Sequence, residues 1–344
     1  MDIKTIKIKC EKPFGVVVAA GARRYAEYAV SGAKKVLIVS DETVFRLYGA
    51  AMKKIVKSTG AEAFTFIFPS GEKGNNKHVL DKLLILMTEL NLSSSDYLIA
   101  FGGRAVASLT GFASAVFKSG VPFVFVPTTI SAMIDAGVSG KCRVDFLGKR
   151  EQLGIINYPL ATFCDTEFLT TLPSASAIDG YAEIIRRASV TDGALIDRML
   201  SEQVPIEEMI FSAIVASEKF RAEKFNGLTK IKDKKNFALV FATVAERITG
   251  VGVPYGKAVA FGIMAAADAG ETLDVSRGEE EKFVKLFAKY GIKWDLGISI
   301  ARLWQEVLSF YGTYKIPVIL PKRSGKVTVR RLTSDKIKEI FCGR

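Results

Sequence analysis

Tyr97-Leu-Ile-Ala-Phe-Gly-Gly-Arg-Ala-Val-Ala-Ser108 passes from a short apolar run through a glycine turn into a helical pattern. A strand that feeds a helix through glycines is the unit of a parallel α/β sheet, and such a turn presents backbone N–H groups to anions. The same alternation surrounds it. Lys35 to Ser40, Ala63 to Phe68 and Val121 to Val126 are further strand candidates, and the first two are each followed by helical spacing. Val36-Leu-Ile-Val39 and Phe123-Val-Phe-Val126 carry no polar alternation, as expected of strands covered by helices on both faces. Ligands of such a sheet sit beyond the carboxyl ends of its strands.

Met1 to Cys10 alternates Ile and Lys, which predicts another strand and not a secretory signal. From Pro173 onward the spacing is helical through Ile178 to Arg187, Ile206 to Phe225, Asn236 to Ile248 and Ala258 to Ala269. Ile316 to Leu320 and Lys326 to Val329, separated by Pro-Lys-Arg-Ser-Gly, predict a hairpin near the domain cleft. The expected division is an α/β domain over 1–168 and a helical domain over 169–344, with the boundary between Asp165 and Pro173.

A chain of 344 residues accommodates two domains of roughly 100 to 200 residues each. Val121 to Ile134, its longest apolar stretch, is interrupted by Pro122 and Pro127 and is shorter than the roughly 18 to 20 residues a membrane helix needs. No membrane span and a cytoplasmic location are expected. Cys10, Cys142, Cys164 and Cys342 lack paired spacing, so reduced, mostly buried thiols are expected. The formal charge of +12 fits nucleic acid, an anionic surface or a phosphorylated ligand. Basic residues come as pairs and triplets without an aromatic-interleaved stripe, which argues against nucleic acid; the best run, Lys230 to Lys235, reads as a loop at a ligand cleft. His78 is the only histidine, so a metal site with two imidazoles cannot form within one subunit.

The glycine turn is followed by Val126-Pro-Thr-Thr129, Asp135-Ala-Gly-Val-Ser-Gly-Lys141, Leu147-Gly-Lys149, Asp165-Thr166 with Thr171-Leu-Pro173, and Gly180-Tyr-Ala-Glu183. It is preceded by Ser40-Asp-Glu-Thr43 and Pro69-Ser-Gly-Glu72. In order and spacing these motifs resemble the 3-dehydroquinate synthase family over nearly the whole chain. That resemblance implies an N-terminal NAD-binding domain with a Rossmann-like parallel sheet, a mostly α-helical C-terminal domain, a site in the cleft and a homodimer. It also implies a reaction in which bound NAD transiently oxidises a hydroxyl of a seven-carbon keto sugar-acid phosphate, phosphate is eliminated, and the reduced product closes by an aldol step.

Carried over position by position, the resemblance implies cofactor binding by Asp41, Glu72, Gly102, Gly103, Arg104, Thr128, Thr129, Lys141 and Lys149. Catalytic positions would be Asp135, Glu183, Arg186, Arg221, Lys232 and Asn236. An anionic ligand would meet Lys141, Arg150, Arg186, Arg221, Lys232, Asn236, Lys322 and Arg323.

The chain departs from the family pattern where the metal belongs. Glu183 matches the family's metal-binding glutamate, but Gly-His-x-x-Gly-His is replaced by Ala238-Leu-Val-Phe-Ala-Thr243 and Leu-His-Gly-Glu by Pro254-Tyr-Gly-Lys257. Leu239, Thr243 and Tyr255 thus stand where imidazoles are expected, and no metal is expected; His78 is taken as an ordinary helix residue. The nucleotide turn changes too: Arg104 replaces a third glycine, Ser108 an aspartate and Asn75 a lysine, which puts NAD in question. The basic positions mostly keep their charge. Arg186 and Arg221 replace lysines, Lys232 replaces an arginine and Arg150 an asparagine. Arginine retains anion binding but shuttles protons poorly.

Three functions stay open on the sequence. The first is a family member without metal and without the standard activity, keeping a basic cleft for a phosphorylated sugar acid or a nucleotide. The second is an active synthase or related sugar-phosphate cyclase with a centre rebuilt around Glu183, Tyr255, Lys257 and the arginines. The third is an NAD(P)-dependent polyol dehydrogenase.

Overall fold

In the computed structural model, the described residues are 3–225, 236–250, 252–312 and 315–342, with side chains described except over 220–225. The chain divides into two compact units, Met1–Leu172 and Pro173–Arg344.

The first unit is built on a sheet of seven strands: β1 (Lys4–Ile8), β2 (Phe14–Ala19), β3 (Lys35–Asp41), β4 (Glu62–Phe68), β5 (Tyr97–Gly102), β6 (Phe123–Pro127) and, after a separate hairpin of β7 (Lys141–Phe146) and β8 (Lys149–Ile156), β9 (Ala161–Asp165). Its order is β1-β2-β9-β6-β5-β3-β4. Every pairing is parallel except that of β1 with β2, so the sheet predicted as parallel carries one antiparallel edge strand. Lys4 and Lys7 lie on that edge, where charge discourages pairing with another chain.

Alternate residues of each inner strand serve opposite faces. Leu37, Val39, Leu98 and Ala100 pack with Leu83, Met87 and Leu109 on one side, while Val36, Ile38, Ile99 and Phe101 pack with Met52, Val56 and Phe168 on the other. Burial on both sides explains the unbroken apolar runs. Each of these side chains larger than alanine contributes about 1.5 to 3 kcal/mol by leaving water.

Asp165, fully buried at the end of β9, gathers four donors. Its Oδ1 accepts from the N–H groups of Gly21 at 2.8 Å and Glu167 at 3.0 Å, and its Oδ2 from the N–H of Arg23 at 3.1 Å and its Nη1 at 2.7 Å. One carboxylate thereby fixes the segments leaving β2 and β9.

The second unit contains helices Ser174–Thr191, Gly193–Ser201, Ile206–Phe225, Leu239–Thr249, Tyr255–Thr272, Glu279–Lys289 and Ile300–Tyr311, then an antiparallel hairpin of β10 (Lys315–Arg323) and β11 (Lys326–Thr333). The Tyr255–Thr272 helix is buried almost all round by small residues such as Ala258, Ala260, Gly262 and Ala266. The β10–β11 turn closes at Gly325, with φ of 76°, and a side chain there would lie 2.2 Å from the Gly193 nitrogen. Of the four cysteines, Cys142 and Cys164 are buried but Cys10 and Cys342 are half-exposed, which narrows the sequence expectation.

Candidate functional site

In the first unit, β4 lies on one side of β3 and β5 on the other, so the chain reverses its direction of travel across the sheet between β3 and β5. The carboxyl edge at such a reversal is where α/β sheets hold nucleotides. The parallel register brings Asp41, Glu72, Gly102, Gly103, Arg104, Thr128 and Thr129 to that edge. Asp41 is held as a helix cap: its Oδ1 accepts from the N–H groups of Thr43 at 3.0 Å and Val44 at 3.1 Å and from the Ser70 hydroxyl at 2.8 Å.

Arg104 opens the Arg104–Val116 helix, and its side chain turns to Glu72, with Nε at 3.3 Å and Nη2 at 3.1 Å from Oε1. Burial opposes its charge, but Glu72 outweighs it, with weaker help from Glu151 and Asp135, and the guanidinium is held protonated more firmly than usual. A side chain at Gly103 would meet nothing nearer than Thr129 Cγ2 at 3.8 Å, so the turn leaves space. Beside it, the Thr128 N–H donates to the Gly102 carbonyl at 3.1 Å, and the buried Thr128 hydroxyl has no partner among the described residues.

The remaining basic candidates of this unit are spread out. Lys141 begins β7 while Lys149 begins β8 at the hairpin tip, opposite Phe146, which separates their backbones by roughly 17 Å at about 3.3 Å per residue. Lys149 and Arg150 are exposed, and Asp135 is half-buried in the helical turn Ala132–Ala136. Asn75, in place of the expected lysine, is buried and fastens the hairpin: its Nδ2 donates to the Arg143 carbonyl at 2.7 Å, and its carbonyl accepts from the Asp145 N–H at 3.1 Å.

The second unit centres on Glu183, buried in the Ser174–Thr191 helix. Arg186 forks onto it, Nε to Oε2 at 2.8 Å and Nη2 to Oε1 at 2.7 Å, and Arg187 Nε reaches Oε1 at 2.9 Å. The Tyr255 hydroxyl donates to Oε2 at 3.3 Å. Arg186 Nη1 goes on to the Phe237 carbonyl at 3.3 Å, and Arg187 Nη1 donates to the Ser217 hydroxyl. Burial alone would raise the Glu183 pKa, but Arg186 and then Arg187 overcome it and hold the carboxyl down at about 2. Glu183 is therefore an ionised partner of two cations and a poor proton acceptor. Arg187 was not singled out in the sequence, although its i, i+4 spacing from Glu183 was visible there.

Leu239 begins the Leu239–Thr249 helix half-buried, Thr243 is exposed, and Tyr255 begins the Tyr255–Thr272 helix with Lys257 half-buried after it. Asn236, Lys322 and Arg323 are exposed. Lys232 and the Lys230–Lys235 run lie outside the described residues, as does the side chain of Arg221. His78 is an exposed residue of the Lys77–Glu89 helix in the first unit.

The family model for 3-dehydroquinate synthase N-terminal matches residues 65–179. The 3-dehydroquinate synthase of Shouchella clausii is 32% identical over 358 aligned residues, covering 99% of this chain and 97% of its own length. That of Nostoc punctiforme is 30% identical with 90% of each chain covered. The chain belongs to the 3-dehydroquinate synthase family. The fold agrees: 2-deoxy-scyllo-inosose synthase, crystallised with carbaglucose-6-phosphate, NAD+ and Co2+, superimposes with a TM-score of 0.80 at 17% identity over 99% of both chains.

The residues of this 3-dehydroquinate synthase family member suit the NAD+ and the Co2+ held by 2-deoxy-scyllo-inosose synthase to different degrees. The nucleotide edge fits a diphosphate: it has space at Gly103, a buried hydroxyl without a partner at Thr128, and a helix start without a side-chain cap. The Glu183 donor set does not fit a divalent ion. Both of its oxygens are engaged by guanidinium groups, whose charge would oppose a metal cation, and the residue that reaches it from the Tyr255–Thr272 helix is Tyr255. Among the described residues, no group of three or more His, Cys, Asp or Glu is placed to hold a metal.

Ala238, where the family carries glycine, has φ of 66° and leads into the Leu239–Thr249 helix. A side chain in this left-handed region costs about 1 to 2 kcal/mol. Ala238→Gly is expected to stabilise the protein by roughly 1 kcal/mol, read as a higher urea midpoint. An unchanged or lower midpoint would show that the alanine is unstrained.

Proposed function

We propose that this chain is a metal-free member of the family that binds a nicotinamide dinucleotide and a small phosphorylated acid without performing the standard elimination and cyclisation. The observation that carries the proposal is the engagement of both Glu183 oxygens by Arg186 and Arg187. Hydride loss from a hydroxyl needs alkoxide character, which a Lewis acid supplies at several kcal/mol of benefit. Arginine pairs cannot replace that proton chemistry, because they stay protonated.

On this view Arg186 is an internal counter-ion, and anion binding falls to the other basic positions that the family resemblance names. Bound NAD would supply reversible hydride transfer. The chain's own residues would bind and orient it: the amides of the Gly102–Arg104 turn and Thr128 at the diphosphate, Asp41 and Glu72 at the nucleoside end. A cytoplasmic homodimer accompanies the proposal by family likeness.

Purified protein is expected to contain no stoichiometric zinc or cobalt, to release no phosphate from the heptulosonate phosphate with NAD present, and to bind NAD in a titration. One tightly bound divalent ion per chain, or phosphate release abolished by EDTA, would sink the proposal. A second reading, an active cyclase with a rebuilt centre, draws on the Tyr255 hydroxyl aimed at Glu183 and on Lys257 two residues away. Phosphate release that survives chelator and is lost in Tyr255→Phe would favour it.

A further inference from the structure

Arg104 is the residue by which this chain's nucleotide edge departs most from a glycine turn, and it stands among carboxylates. Glu72 is its partner at 3.1 Å, and Asp135 and Glu151 both act on its charge. Asp41 lies at the end of the intervening strand. Because β4 and β5 flank β3, the pair from Glu72 after β4 to Arg104 after β5 spans the carboxyl end of β3. Arg104 is thus the cation that these carboxylates share. Both partners are about half exposed, 48% and 49%, so the guanidinium can turn without disturbing the core.

Resting on the proposal that this edge takes a nucleotide, we infer that Arg104 is its diphosphate-binding residue, held by Glu72 in the free protein and transferred to diphosphate oxygens on binding. A guanidinium matches phosphate oxygens with two parallel N–H donors, a stronger pairing than one exposed carboxylate provides. An exposed ion pair is weak, so breaking it lowers affinity by about fivefold at most. The turn offers the ligand two further features: the space at Gly103 and the unpartnered, buried Thr128 hydroxyl.

The test is calorimetric titration of wild type, Arg104→Gly, Arg104→Lys and Glu72→Gln with NAD, ADP, adenosine and inorganic pyrophosphate. Arg104→Gly should weaken NAD and ADP by tenfold or more and leave adenosine unchanged, with Arg104→Lys between. Glu72→Gln should tighten pyrophosphate, which has no ribose for Glu72 to meet, by up to about fivefold. Thermal melts of the variants confirm that each is folded. If Arg104→Gly binds ADP as well as wild type or better, the inference is overturned while the nucleotide proposal stands. If wild type binds neither NAD nor ADP, the nucleotide proposal falls and the inference with it.

Discussion

Glu183→Ala is expected to cost about 3 to 5 kcal/mol of stability, because it leaves two buried guanidinium groups facing each other without their shared anion. Arg186 and Arg187 are both under one-tenth exposed, so water cannot take over the lost charge. Replacing Glu183, Arg186 and Arg187 together by apolar residues of similar volume should cost far less than the single change, since no charge is then stranded. Urea denaturation followed by circular dichroism measures both. A single variant less than 1 kcal/mol below wild type would mean the arginines find other partners.

The same residue sets a pH signature. Glu183 titrates near 4.5 when unfolded and near 2 when folded, so its contribution is complete above the unfolded value and is lost as pH falls through the folded one. The shift corresponds to about 3 kcal/mol. The stability gap between wild type and Glu183→Gln should therefore be large at pH 7 and shrink toward pH 2. A gap independent of pH would remove the charge from the explanation.

Asp165→Asn is expected to be nearly as damaging as Asp165→Ala, at about 3 kcal/mol or more. Each carboxylate oxygen accepts from two N–H donors, so in either orientation an asparagine NH2 is pointed at a pair of donors. Either the Gly21 and Glu167 N–H groups or the Arg23 N–H and guanidinium are then left without their acceptor at a fully buried side chain. Denaturation midpoints of the two variants give the comparison. An asparagine variant within about 1 kcal/mol of wild type would show that the turn can rearrange.

The parts of the fold that could be read in the sequence are those where burial imposes a pattern. Lys35 to Ser40 and Tyr97 to Phe101 are apolar throughout because both faces of β3 and β5 are covered. Strands β2, β7, β8 and β9 are not among the sequence expectations: β2 and β9 are only six and five residues long, and β8, Lys149 to Ile156, is exposed nearly along its length and carries no alternation. The Glu183 position could be found by motif, but not its company. Whether Arg186 and Arg187 point to a ligand or to Glu183 depends on which side of the helix is buried and on Ser217 and Phe237, which lie 30 and 51 residues away. The left-handed backbone at Ala238 was equally hidden, since alanine gives no sign of it.

The paired arginines at Glu183 also bear on how substitutions combine. Imidazoles placed at 239, 243 and 255 would still face a carboxylate that carries two fixed positive charges. The arginines would have to go as well, yet removing them first strands Glu183 as a buried anion. The three charges form one unit, so substitutions at 183, 186 and 187 are expected to combine non-additively: the cost of each depends on which of the others is already changed.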